Sequence, residues 1–239
     1  MRFKLLLIGL QCKGLHHMTC LYKLNTILIL AFILTSFPAS ANRYNNSTCG
    51  IIQGQKLTNA YGPYDATNPA HTNKLPIVLG AHFTRDVERL VSGVSGPIMG
   101  DIDYTLRAIP NYHRALAAMA KYQRREKVKL KERDRYYTAD CYFQRAIYFQ
   151  PADATTRMLF AMHMHLTGRL NEAAEQYQLG IMVDPDYPEM LYNYGLLLFD
   201  LKRLSEAQQI ATKAYAAGFP LQGLKDKLNN AGYSIENVN

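Results

Sequence analysis

Ala173-Ala174-Glu175-Gln176-Tyr177-Gln178-Leu179-Gly180-Ile181-Met182-Val183-Asp184-Pro185 decides the fold. Ala173 and Gly180 lie seven residues apart with Tyr177 between them, so all three share one helical face. Small residues let a second helix approach closely, and the aromatic ring fills the space beside them. Pro185 stops the helix, because proline lacks the N–H and its ring blocks continuation. A step of 34 residues backward gives Ala139, Phe143, Ala146 and Pro151. The same step forward gives Ala207, Ala211, Ala214 and Phe219, with Pro220 one residue late. A 34-residue period of small, aromatic, small and proline positions predicts an all-α helix–turn–helix array.

The flanking sequence supplies the partner helices. Met158, Phe160, Ala161, Met164 and Leu166 form a helical stripe over Ala154 to Leu166, and Gly168 then offers a tight turn. Leu191, Tyr194, Gly195 and Leu198 repeat the arrangement after Pro185-Asp186-Tyr187-Pro188, and Ser205-Glu206-Ala207 opens the next helix. An earlier pair runs over Asn111 to Tyr122 and Ala139 to Phe149, with about ten extra residues in its turn. Residues 221–239 read as an amphipathic capping helix and tail.

These motifs resemble the tetratricopeptide repeat family. The resemblance covers residues 111–220, as repeats 111–151, 152–185 and 186–220, and implies a short solenoid of about three repeats. In that family the first helices of successive repeats line a concave groove. The matching inward positions are Thr155, Met158, Met162 and His165, then Glu189, Tyr192, Asn193, Leu196 and Phe199. Their Met and aromatic character suits an adaptable peptide groove. Some members clamp a peptide carboxylate with basic residues, but the slots here hold Glu189 and Asn193, so that specificity is not carried over. His82-Phe83-Thr84, Asp101-Ile102-Asp103-Tyr104 and Pro110-Asn111 with His113-Arg114-Ala115-Leu116 are similar to a group of uncharacterised exported bacterial tetratricopeptide-repeat proteins. That likeness implies export and fold, and no activity.

Residues 42–110 read as an irregular N-terminal region. Gly, Pro, Asn and Thr dominate to Asn73. Leu75 to Phe83 reads as an extended segment, Thr84 caps one short helix from Arg85 to Val91, and Gly93 to Gly100 reads as a flexible link. Asp101 or Asp103 is the expected cap of the helical array.

The N-terminus reads as an export signal. Ile27 to Leu34 is a short apolar run, and Ala39-Ser40-Ala41 is a small-x-small cleavage site. Residues 1–41 are therefore the expected leader, with Met18 as an alternative start and an uncleaved membrane anchor as an alternative fate. The destination is the periplasm or the exterior. Cleavage leaves Cys49 and Cys141, an even count that predicts a disulfide in an oxidising compartment.

Net charge is +8, and removal of the leader's four basic residues leaves 23 basic against 19 acidic, or +4. That makes no case for nucleic acid. The excess is local: Lys121, Arg124, Arg125, Lys127, Lys129, Lys131, Arg133 and Arg135 form a basic patch over 121–135.

Three functional expectations follow. The leading one is a non-enzymatic scaffold or adaptor that binds a protein or peptide of the cell envelope through the groove. The first alternative is an accessory factor whose basic patch meets an anionic polysaccharide or membrane surface. The second is an enzyme with a polar cluster of His82, Asp101, Asp103 and His113. No catalytic residue, metal site or cofactor is otherwise indicated: there is no phosphate loop, nucleophile elbow or zinc spacing, and His163 and His165 point to different sides of one helix.

Overall fold

The computed structural model describes residues 49–126 and 136–235. Among them the chain is all-helical. The helices are α1 (Leu75–His82), α2 (Arg85–Glu88), α3 (Ile98–Ala108), α4 (His113–Glu126), α5 (Ala139–Phe149), α6 (Ala154–Leu166), α7 (Leu170–Val183), α8 (Pro188–Asp200), α9 (Leu204–Ala216) and α10 (Gly223–Asn230). A short 3-10 turn, Pro69–His71, precedes them.

The 34-residue register appears in the backbone itself. Helix α6 and helix α8 both end in a Schellman turn. Arg169 N–H bonds the Met164 carbonyl as Arg203 N–H bonds Leu198, and Gly168 N–H bonds His165 as Lys202 N–H bonds Phe199. Helices α5 and α7 end instead on Gln150 and Asp184, both out of the helical region (φ −135° and −136°), each just before a proline. Helix α9 ends in a third Schellman turn through Gly218 and Phe219, which places Pro220 one residue late.

The small residues of the register sit between helices. Ala139, Ala146, Ala173, Ala207, Ala211 and Ala214 are fully buried, as are Tyr142, Phe143 and Tyr177. One continuous apolar core joins Phe83 in the N-terminal part to Ile235 at the other end. Helix α6 packs against α4, α5, α7 and α8, and α10 lies across α8 and α9. A side chain on Gly195 would place its Cβ 2.5 Å from Leu224 Cδ2, so glycine there lets α10 dock on α8.

Residues 49–110 depart from the sequence reading in three ways. Leu75–His82 is a helix, not an extended segment. Pro76 suits the first helical turn, and Val78 and Leu79 pack with Ala108 and Ile109, which outweighs the β-branched Ile77-Val78 pair. Second, α3 begins at Ile98 behind Pro97, so Asp101 and Asp103 are buried within the helix and neither caps it. The link before it is a closed loop, because the Asp101 carboxylate accepts the Val94 N–H at 2.8 Å. Third, the helix capped by Thr84 stops at Glu88, and Leu90 turns back with φ 61°.

The arm from Cys49 is tied down. Cys49 and Cys141 form a disulfide between residues 92 apart. Ile51 and Leu57 pack with Cys49 against Tyr148 and Phe149 on α5. Arg145 donates to the Cys49 carbonyl at 2.9 Å, and Tyr148 donates to the carbonyls of Ile52 and Gln55.

Candidate functional site

Asp153 is the centre of a buried polar site. It follows Pro151-Ala152 and caps α6, accepting hydrogen bonds from the Thr156 N–H and hydroxyl, both at 3.0 Å. Its carboxylate also receives His113 Nε2 at 2.8 and 3.0 Å and Asn111 Nδ2 at 3.2 Å. Burial alone would raise its pKa, but the hydrogen bond and charge of His113 and the donors of Thr156 hold it below the ordinary carboxylate value.

Asn111 extends the site to the arm. Its Nδ2 donates to Asp65 at 2.7 Å and its Oδ1 accepts the Ala66 N–H at 2.9 Å. Asp65 also accepts from the Thr67 hydroxyl and from Gln150 Nε2, each at 2.7 Å. Burial opposes ionisation of Asp65, and these neutral donors outweigh it, so its pKa is also depressed.

Beside this network lies a cleft of about 480 Å³. Thr67 of the arm, His113 of α4, Gln150, Asp153 to Thr155 at the start of α6, and Val183, Asp184 and Tyr187 between α7 and α8 line it. The imidazole is held by Asp153 and reaches the cleft edge. This arrangement can receive a polar or cationic group.

Of the predicted cluster of His82, Asp101, Asp103 and His113, His82 and Asp101 bond each other, while Asp103 and His113 bond other partners. His82 Nδ1 is 3.0 Å from Asp101 Oδ1, and its ring lies 4.0 Å from that of Tyr104. Asp103 accepts the Tyr142 hydroxyl at 2.6 Å and Arg107 Nε at 2.9 Å. His113 pairs with Asp153. The bonds of Asp101 and Asp103 hold α3 to α1 and α5. Among the described residues no group of three or more His, Cys, Asp or Glu could hold a metal ion.

The expected groove is narrower than its residue types suggest. Met158 is 2% exposed and belongs to the core, because α6 is covered on several sides. Tyr192 is also buried, stacked on Phe219 with centroids 4.2 Å apart. These two are corrections to the groove set. Thr155, Met162, His165, Asn193, Leu196 and Phe199 are half-buried and Glu189 is exposed. His165 Nε2 lies 2.8 Å from Asp200, and the ammonium groups of Lys202 and Lys227 lie 5.7 and 5.2 Å from the Phe199 ring centre.

The basic patch is partly used up. Arg124 turns inward and donates to His163 Nδ1 at 3.0 Å, and burial lowers its pKa. Arg125 donates to the Leu90 carbonyl at 2.9 Å and to Glu126. Lys121 is exposed. Lys127, Lys129, Lys131, Arg133 and Arg135 lie outside the described residues, as does the leader at 1–41.

His163 itself is 2% exposed and carries a relay. Arginine is always a donor, so Nδ1 accepts from Arg124 and Nε2–H faces Asp140 at 3.2 Å. Asp140 also binds Arg169. This chain ties α4, α5, α6 and the start of α7 together.

Asp153, Asp184 and Tyr187 escape the sequence reading as site residues. Asp153 carries a readable helix-cap signal, an acid directly before an apolar periodic run. Its pairing with His113, 40 residues away, carries none. No protein-family model matches the sequence, and no curated protein matches it.

Proposed function

We propose that this chain is an exported, tetratricopeptide-like repeat protein that works as a non-enzymatic binding module for a protein or peptide of the cell envelope. The observation that carries the reading is the 34-residue recurrence of backbone turns from α6–α7 to α8–α9. Such recurrence stacks the first helices of successive hairpins and leaves a row of half-buried side chains on one side. Met162 and His165 on α6 and Asn193, Leu196 and Phe199 on α8 make that row. Half-buried aromatic and aliphatic groups beside polar ones suit a peptide strand or helix laid across them. The Cys49–Cys141 disulfide supports an oxidising compartment, and with it export.

The test is in-cell crosslinking of the tagged full-length protein, followed by affinity capture and mass spectrometry. A reproducible envelope partner lost on Leu196→Ala with Phe199→Ala supports the reading. Capture that is indifferent to both substitutions removes it. Tyr192→Ala is unsuitable, because that ring belongs to the core and its loss would test folding.

A further inference from the structure

The cleft between the arm, α4, α6 and the α7–α8 link is unassigned by the groove reading, although Thr155 belongs to both. We propose that it receives the lysine or arginine side chain of a bound peptide, whose neighbouring apolar residues lie along Leu179, Met182 and Val183. This inference rests on the binding-module reading and names the chemistry its partner presents.

Three independent features converge on that ligand. The first is size: about 480 Å³ falls within the range of small ligand pockets. The second is charge. Asp184 lines the cleft beside the Asp153–His113 pair, in which the imidazole offsets the Asp153 charge, and no lysine or arginine lines it. Behind Asp153, Asp65 shares the Asn111 amide and is held by neutral donors alone, so its negative charge adds to the field. A cleft whose remaining charge is that of Asp184, with Asp65 behind it, is stabilised by an incoming cation and opposes an anion. The described residues offer no set of metal ligands there, so an organic cation fits better than an ion. Tyr187 supplies an aromatic wall, and its hydroxyl is 3.4 Å from Thr155 Oγ1.

The third feature is the rim. Val183 lines the cleft and is 40% exposed, and it continues along α7 into Met182 at 79% and Leu179 at 41%. These positions are spaced i, i+3 and i+4, so they form one apolar strip on the helix. A cationic side chain flanked by apolar residues would match the cleft and the strip together. The long aliphatic stem of lysine or arginine suits the passage from one to the other.

The experiment titrates the disulfide-bonded, isotope-labelled full chain with two probes by NMR. One is acetyl-Leu-Lys-Leu-amide, and the other is the same peptide with norleucine in place of lysine. The expected result is saturable shifts at Thr155, Val183 and Asp184, with the lysine peptide about tenfold tighter and weakened by salt. Asp184→Asn should weaken only the lysine peptide, by about two- to fivefold. Met182→Ser should weaken both. An unchanged thermal melt shows that each variant is folded. Equal affinity for the two probes, or shifts confined to other residues, overturns the cationic assignment while leaving an apolar binding surface. Absence of saturable shifts with either probe also overturns it. The in-cell capture, which depends on Leu196 and Phe199, then judges the binding-module reading separately.

Discussion

Lys202 holds the left-handed backbone that Gly168 holds one repeat earlier, with φ 63° against 79°. Both are the turn residue of a Schellman motif, and their N–H groups bond equivalent carbonyls, Phe199 and His165. A residue with a Cβ costs about 1–2 kcal/mol in this conformation, and glycine does not. Lys202→Gly is therefore expected to stabilise the fold by about 0.5–1 kcal/mol, after loss of the contact between its ammonium group and the Phe199 ring. Gly168→Ala should destabilise by about 1 kcal/mol. Urea denaturation of both variants checks the pair, and a destabilised Lys202→Gly protein contradicts the account.

Two other glycines should respond oppositely to alanine. At Gly195 the added Cβ would meet Leu224 at 2.5 Å, so α10 must shift. Gly195→Ala should cost about 1–3 kcal/mol, and hydrogen exchange should rise first in α10. Gly80, inside α1, has no atom within 4 Å of an added Cβ. Gly80→Ala should stabilise by about 0.5–1 kcal/mol through helix propensity. Equal effects at the two sites would show that packing does not decide them.

How much of this was legible depends on where the information sits. The 34-residue register is written in side-chain size, so Ala173, Tyr177 and Gly180 announce their helix and its buried face without any long-range knowledge. The caps Thr84, Thr138 and Asp153 are equally local, since each oxygen bonds an N–H three residues on. Leu75 to His82 is illegible for the opposite reason: Ile77-Val78 favours a strand, and only packing against Ala108 and Ile109 selects the helix. The site follows the same rule. His113 can be singled out by type, but its carboxylate is chosen by how α4 and α6 meet. Met158 and Tyr192 look like groove residues until the covering elements are known.

Acid should weaken the fold through Asp140 and Asp153. At Asp140 burial opposes ionisation, and the hydrogen bonds from His163 and Arg169 outweigh it, so its native pKa is depressed like that of Asp153. A depressed carboxylate contributes stability that is fully present above the unfolded pKa, about 4. That stability is lost as pH falls from there through the lower native pKa. Asp140→Asn should cost about 1–3 kcal/mol near neutral pH and flatten the acid limb of the stability curve. Denaturant melts at a series of pH values below neutrality measure both, and an unchanged acid limb refutes the assignment.

The disulfide holds more than two cysteines together. Its closed loop spans 92 residues and contains α1 to α4, so cross-linking removes much freedom from the unfolded chain. The chain-entropy model gives up to about 4–5 kcal/mol for a loop of this length. Cys49→Ser with Cys141→Ser should lower stability by an amount within that bound. Local effects should be uneven. Ile51 and Leu57 pack only in a small cluster on α5, apart from the main core, whereas α6 to α9 share the continuous core. Hydrogen exchange in the double variant should therefore rise first over residues 50–57 and the exposed side of α5, with α8 and α9 protected. Uniform loss of protection along the chain would mean that the arm and the repeats unfold as one unit, and that the bridge acts on the whole fold.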